Sequence, residues 1–199
     1  MAIEEPAYTV ISAEGQFEIR EVQAYVVAQT FLDGDFSGVG DEAFHRLFRY
    51  ISGANRGAAK IEMTAPVEQE DAGTRIAGAA PLEQQRSAGR WRVAFVLPAG
   101  FTLATAPQPT DERVVLAQVP SRRIGVVRYR GTWSESHYAE KLASLRAFLA
   151  QRHLVAAGEP VFARFDPPFM PWFLRRNEIQ IPLQQRGAPQ AGTRDEGPR

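Results

Sequence analysis

Apolar and polar positions along this chain change their spacing from segment to segment, and each spacing predicts an element. Ile61, Met63, Ala65 and Val67 alternate with Lys60, Glu62 and Thr64, the period of a strand with one buried face. Trp91, Val93, Phe95 and Leu97 repeat that period. Phe17, Ile19 and the run 24–27 predict an early strand region after a turn at 13–15. Stretches 114–119, 124–129, 161–165 and 179–183 complete the strands. Two segments switch to helical spacing. Phe44, Leu47, Phe48 and Ile51 share one face of a helix over 40–52, with Asp41 suited to its start and Gly53 to its end. Tyr138, Leu142, Leu145 and Leu149 do the same over 133–153, where Thr132 and Glu135 fit a capping box.

Three stretches lack either period. Residues 69–90 are rich in Ala, Gly and charge and predict a surface loop, whereas 99–112 carry two prolines and predict an irregular crossing. Residues 184–199 offer too little apolar surface to offset chain entropy and predict a disordered tail. The remaining order is strand, helix, strand, strand, then the same again. An α+β fold made of two pseudo-symmetric βαββ units in a single domain over 1–183 is expected.

Composition narrows the function more than the fold. The 199 residues hold 44% hydrophobic and 23% charged positions, the mixture of a globular domain with a real core. Lys plus Arg and Asp plus Glu both total 23, so the chain lacks the basic footprint expected of a nucleic-acid binder. Arg128 and Arg130 alternate with Val127 and Tyr129 along a strand, which suits an outward polar face. Cysteine is absent, which excludes disulfides, thiolate nucleophiles, Cys-ligated metal and thioether-linked cofactors. No secretory leader and no membrane-spanning apolar run is visible, so a cytoplasmic location is expected.

Catalytic patterns are missing as well. There is no GxSxG elbow, HExxH, Walker loop or GxGxxG, and Ser134, Ser136 and His137 on one helical turn do not make a nucleophile–base line. No enzymatic activity is expected.

Specific motifs appear at KIEMTAPV (60–67), FEIR (17–20), LFRYISG (47–53), VAFVLP (93–98), FDPP (165–168) and LRRNE (174–178). In this order and spacing they resemble the SOUL haem-binding protein family over nearly the whole chain. The resemblance implies a distorted β-barrel flanked by two helices, and non-covalent binding of haem or a related tetrapyrrole. It places the binding surface where the first helix meets the segment leading into MTAPV.

A tetrapyrrole needs an apolar cleft and cations for its propionates. The implied site therefore comprises Leu47, Phe48, Tyr50 and Ile51 on the helix, Arg56 and Lys60 at the rim, and Ile61 and Met63 against the ring. The same residues also suit core packing and solvated loop charge. His45 and His137 are the weak candidates for an axial ligand, and His153 is accounted for by a capping role. The 165–173 segment, FDPPFMPWF, suits either a pocket wall or closure of one barrel end. Three functions stay open: a tetrapyrrole carrier, buffer or sensor; a small-molecule or protein-interaction domain without physiological haem; and, less favoured, a porphyrin-modifying enzyme.

Overall fold

The structure is a computed structural model that describes residues 4–35, 38–71, 90–132, 134–166 and 170–184. Its strands are β1 (Tyr8–Glu14), β2 (Phe17–Val22), β3 (Tyr25–Asp33), β4 (Val67–Asp71), β5 (Arg90–Val96), β6 (Val115–Val119), β7 (Arg122–Arg130), β8 (Val161–Arg164) and β9 (Arg176–Pro182). Its helices are α1 (Gly38–Ile51) and α2 (Glu135–Gln151), with one 3-10 turn at Trp172–Leu174.

All nine strands join one antiparallel sheet in the order β1-β2-β7-β9-β8-β4-β5-β3-β6. Setting β1 aside, the order is a palindrome. Exchanging β2, β3, β4 and β5 with β6, β7, β8 and β9 reproduces it in reverse. Each half is thus ββαββ, one strand longer than the expected βαββ, and the first strand of each half pairs with the second strand of the other. β4 and β8 meet at the pseudo-twofold centre.

The pleat sends alternate side chains of each strand to two faces. One face is apolar and carries both helices. Val26, Ala28, Leu32, Val93, Phe95 and Leu97 pack beneath α1 with Ala43, Leu47 and Tyr50. Ile19, Val127, Phe162, Ile179 and Ile181 pack beneath α2 with Leu145, Phe148 and Leu149. Gly125 lets α2 approach, since a Cβ there would meet the Leu149 side chain at 2.7 Å.

Among the described residues the other face carries no helix; it buries two apolar clusters, Val27, Ala94, Val96 and Val119, and Val22, Ile124 and Val126, beside a network of charge. Arg20 on β2 donates to both oxygens of Glu178 on β9 at 2.8 and 3.0 Å, and its Nε donates to Glu18 at 2.7 Å. Arg128 and Arg176 add ion pairs to Glu18 and Glu178, and Arg176 also holds Glu5 of the N-terminal segment at 2.7 Å. Arg128 is therefore a member of this network, which refines the outward polar face expected of it. Burial pushes Glu18 up, but the bonds from Arg128 and Arg20 outweigh it and hold the carboxyl below its ordinary 4.5.

Several expected elements shift. The strand expected at 60–67 begins only at Val67. Pro66 has no N–H for a ladder, and Thr64, Ala65 and Pro66 are all buried where alternation predicts one in two. The loop expected from residue 69 gives way to strand through Asp71, because Glu68 and Gln69 are buried polar residues in a doubly paired strand. Residues 72–89 of that loop lie outside the described residues, as do 185–199 of the expected tail and Trp133, whereas Arg90 opens β5 and the Gln184 N–H bonds to the Val155 carbonyl. β1 has no counterpart in the sequence reading, since all seven of its residues are exposed and no burial period marks them. Ser134, not Thr132, caps α2, accepting from the His137 N–H.

Three outcomes follow for stability. Glu178→Ala leaves buried guanidinium groups short of a partner and is expected to cost ~3–5 kcal/mol in urea unfolding at pH 7. Glu21→Ala, which breaks the half-exposed pair with Arg123, is expected to cost under ~1 kcal/mol. Because the folded pKa of Glu18 is depressed, its contribution is full above about 4.5 and is lost as pH falls through the folded value. Thermal midpoints are expected to drop below pH 4.5, and less steeply in Glu18→Gln.

Candidate functional site

Helix α1 ends at Gly53, whose φ of +116° and N–H bond to the Tyr50 carbonyl turn the chain away from the helix axis. Asn55 then organises the loop that follows. Its Nδ2 donates to the Tyr50 carbonyl at 3.0 Å and the Ala59 carbonyl at 2.8 Å, while its Oδ1 accepts the Ala59 N–H at 3.0 Å. The Arg56 N–H bonds to the Gln108 carbonyl, and the Ile61 N–H to the Ile51 carbonyl, both at 2.8 Å. Thr64 Oγ1 donates to the Val96 carbonyl. Residues 55–64 are thereby pinned between the end of α1, the 102–110 crossing and the end of β5.

This pinning divides the eight expected contact residues into two sets. Leu47, Tyr50, Ile51 and Ile61 are buried together in the core beneath α1. Tyr50 donates its hydroxyl to the Pro107 carbonyl at 2.8 Å, and burial pushes its phenol up to about 12. These four face the sheet rather than solvent. Phe48, Arg56, Lys60 and Met63 are exposed, with Phe48 at 44% and Met63 at 42%. The buried stripe of α1 is Val39, Ala43, Arg46, Leu47, Tyr50 and Ile51, rotated from the expected one so that Phe48 leaves the core. Arg46 accounts for the rotation. It takes a core-facing position because Thr30 Oγ1 accepts its NH1 at 2.8 Å, a pairing that hydropathy does not register. Phe48 stacks outward on Phe44, with centroids 5.8 Å apart.

Arg56 and Lys60 form no ion pair among the described residues. Their two positive charges stand four residues apart on a loop held by three Asn55 hydrogen bonds.

A cavity of about 370 Å³ opens elsewhere, at the rim of the helix-free face. Tyr25, Val26, Leu97, Phe101 and Leu103 form its apolar wall, with Thr64 bordering it. The N-terminal segment closes one side, where the Glu4 carboxylate accepts the Ala99 N–H at 2.6 Å and the Glu4 carbonyl accepts the Ala65 N–H at 2.9 Å. Tyr25 donates to Glu68 at 2.5 Å, and burial raises its phenol far above the ordinary value. Sequence reasoning missed this cavity because its walls come from separate segments with no shared local motif.

The histidines fall in different places, and only His45 neighbours the α1 surface, three residues before Phe48 on the helix. His45 is exposed on α1 beside Phe44, and His137 packs edge-on against Tyr129 at 4.9 Å in the other half. His153 takes a left-handed conformation just past α2, with φ of +53°, and its N–H bonds to the Ala150 carbonyl. Among the described residues no group of three His, Asp or Glu side chains is placed to hold a metal ion. No described helix is long and apolar enough to cross a membrane.

Comparison with known proteins gives a consistent picture. The family described as SOUL heme-binding protein matches residues 3–182. A protein named Heme-binding protein 1 from Xenopus tropicalis is 27% identical over 164 residues, covering 82% of this chain and 81% of its own. The counterpart from Xenopus laevis matches to the same extent. Among solved structures, the C-terminal domain of EcmrR superposes with a TM-score of 0.64 at 13% identity, covering 86% of this chain and 98% of that domain. At that identity the likeness speaks for the fold alone.

The clamp at Asn55 makes its own test. Asn55→Ala removes three hydrogen bonds, two of them to carbonyls left short of a donor, and is expected to cost ~2–3 kcal/mol. Hydrogen exchange at the Ala59 amide is expected to accelerate more than tenfold, well beyond the change at sheet amides of β7.

Proposed function

We propose, for a chain that belongs to the SOUL haem-binding protein family, that it binds haem or a related tetrapyrrole non-covalently on the surface between α1 and the 55–63 segment. The observation that carries this reading is the presence on α1 and the segment after it of two exposed apolar side chains, Phe48 and Met63, and two exposed cations without an ion pair among the described residues, Arg56 and Lys60. A porphyrin ring is flat and apolar and ends in two carboxylates. Phe48 offers an aromatic face and Met63 an adaptable one. Arg56 can grip a propionate through a fork, and Lys60 acts as a point charge.

Leu47, Tyr50, Ile51 and Ile61 take a different part. Buried behind that surface, they hold its backbone still, so little ordering entropy is lost on binding. Neither His45 nor His137 is required for a ring held by apolar contact and propionate charge, and weak or absent iron coordination is part of the proposal. The role that fits is a carrier, buffer or sensor, with the ligand leaving as it arrived.

The cavity on the helix-free rim favours a second reading. Its volume lies within the range of small-molecule pockets, and its wall is mainly aromatic and aliphatic. In that reading the ligand, a tetrapyrrole or another apolar effector, sits against Leu97, Phe101 and Leu103.

Titration with hemin and with metal-free protoporphyrin, followed by absorbance, separates the two. The first reading predicts saturation near one equivalent with both. Met63→Glu is expected to weaken binding at least tenfold and the Arg56→Ala, Lys60→Ala pair about tenfold, a change worth ~1.4 kcal/mol. Leu103→Glu is expected to have little effect. The reverse pattern moves the ligand to the cavity, and the absence of saturation with either porphyrin removes the tetrapyrrole reading.

A further inference from the structure

The segment 4–7 crosses the helix-free face without belonging to the sheet, and polar links hold it there. The Glu4 carboxylate accepts the Ala99 N–H at 2.6 Å, and its carbonyl accepts the Ala65 N–H at 2.9 Å. The Ala7 carbonyl accepts the Gln23 N–H at 2.9 Å. The strongest link is a fork, in which both Glu5 oxygens accept from Arg176 at 2.7 and 3.1 Å. Apolar anchoring is slight, since Glu4 and Ala7 are exposed and Pro6 is half-buried. A strap held by surface hydrogen bonds with little apolar burial opens more readily than the sheet beneath it.

The strap stands between two hollows. Glu5, Pro6 and Tyr25 border both the 370 Å³ cavity and a second hollow of about 20 Å³ that reaches Phe165. The Arg176 guanidinium lies 4.0 Å from the Phe165 ring centroid, and Glu178 accepts from it at 3.0 Å. Neither contact involves the strap, so the guanidinium keeps its place when Glu5 leaves. Its Nε is buried without a hydrogen-bond partner among the described residues, so the present contacts leave one donor unused. Glu178 and Asp166, whose carboxylate accepts the Arg176 N–H at 2.5 Å, make the surroundings acidic. Exchanging Glu5 for another carboxylate leaves that charge balance as it is.

The walls of the larger cavity narrow the class of ligand. They are mainly aromatic and aliphatic, and among the described residues no Lys, Arg or His borders the cavity. One guanidinium takes one carboxylate, and a second acid group on the ligand would go unmatched. A long apolar body with a single acid end suits both parts.

We propose that Glu5 is an internal stand-in for the carboxylate of an apolar monocarboxylic acid, a molecule of the fatty-acid class. The strap swings out at the Ala7–Tyr8 junction, while β1 stays paired with β2 from Tyr8 onward. The ligand then sets its carboxylate on Arg176 and its apolar body against Leu97, Phe101 and Leu103. Strap and ligand compete for one cation, which makes the strap an autoinhibitory cover. The inference rests on the second reading above, in which the cavity holds a ligand, and it names the class of that ligand.

The test is fluorescence titration of the full chain with cis-parinaric acid and with its methyl ester, which lacks the charge. Wild type is expected to bind the acid about fivefold more tightly than the ester. Glu5→Ala removes the stand-in and is expected to tighten acid binding about fivefold, with the ester changed less than about twofold. Hydrogen exchange without ligand gives a second readout. In Glu5→Ala the Ala65 and Ala99 amides are expected to exchange about fivefold faster, with the amides of β7 unchanged. Acid affinity unchanged or weakened by Glu5→Ala overturns the proposal while the cavity remains a ligand site. An equal gain for acid and ester overturns it as well and leaves the strap a steric cover. Binding of neither probe to either protein removes the second reading itself, and this inference with it.

Discussion

The buried pairing of Arg20 with Glu178 is the constraint on which the rest of this fold depends. A guanidinium taken out of water is costly unless its fork is met, and here both Glu178 oxygens and one of Glu18 meet it. The partners lie on β2 and β9, with β7 between them. A slip of one residue in either ladder would turn these charges onto the apolar face and send Ile19 or Ile179 the other way. The network therefore fixes register across the strands by which the first half of the chain invades the second.

With register fixed, the two faces of the sheet acquire their roles. The apolar face accepts α1 over β3 and β5 and α2 over β7 and β9, one helix for each half. The face that holds the charge network carries no helix among the described residues. It receives the N-terminal segment instead, through Glu5 on Arg176 and Glu4 on the backbone of 65 and 99. The cavity beside Tyr25 lies where that segment, the sheet and the 98–103 loop meet.

Beyond the apolar face, the surface at the end of α1 owes its shape to one polar side chain. Asn55 closes the loop over itself, so Arg56 and Lys60 stand out while Ile61 returns to the core. The proposed tetrapyrrole site rests on this held backbone, its exposed apolar groups and two cations that form no ion pair among the described residues.

Much of this was legible in the sequence by itself. Period-two runs marked β5, β7 and β9, helical spacing marked both helices, and the repeated element order announced the pseudo-twofold. Gly53 marked the end of α1, and six spaced motifs carried the family. Local side-chain spacing suffices there because each element buries one face against a common core. Tertiary structure alone decided what lacks a local period. It made a strand of Glu68 and Gln69, whose polar side chains are buried by two neighbouring strands. It rotated α1 about Arg46, whose partner Thr30 is sixteen residues away. It moved Tyr50 from a ligand surface into the core and Phe48 out of it, and it assembled a cavity from segments that share no motif. A hydropathy pattern reports what a residue prefers, and whether a buried arginine or glutamate finds its partner depends on strands that only folding brings together.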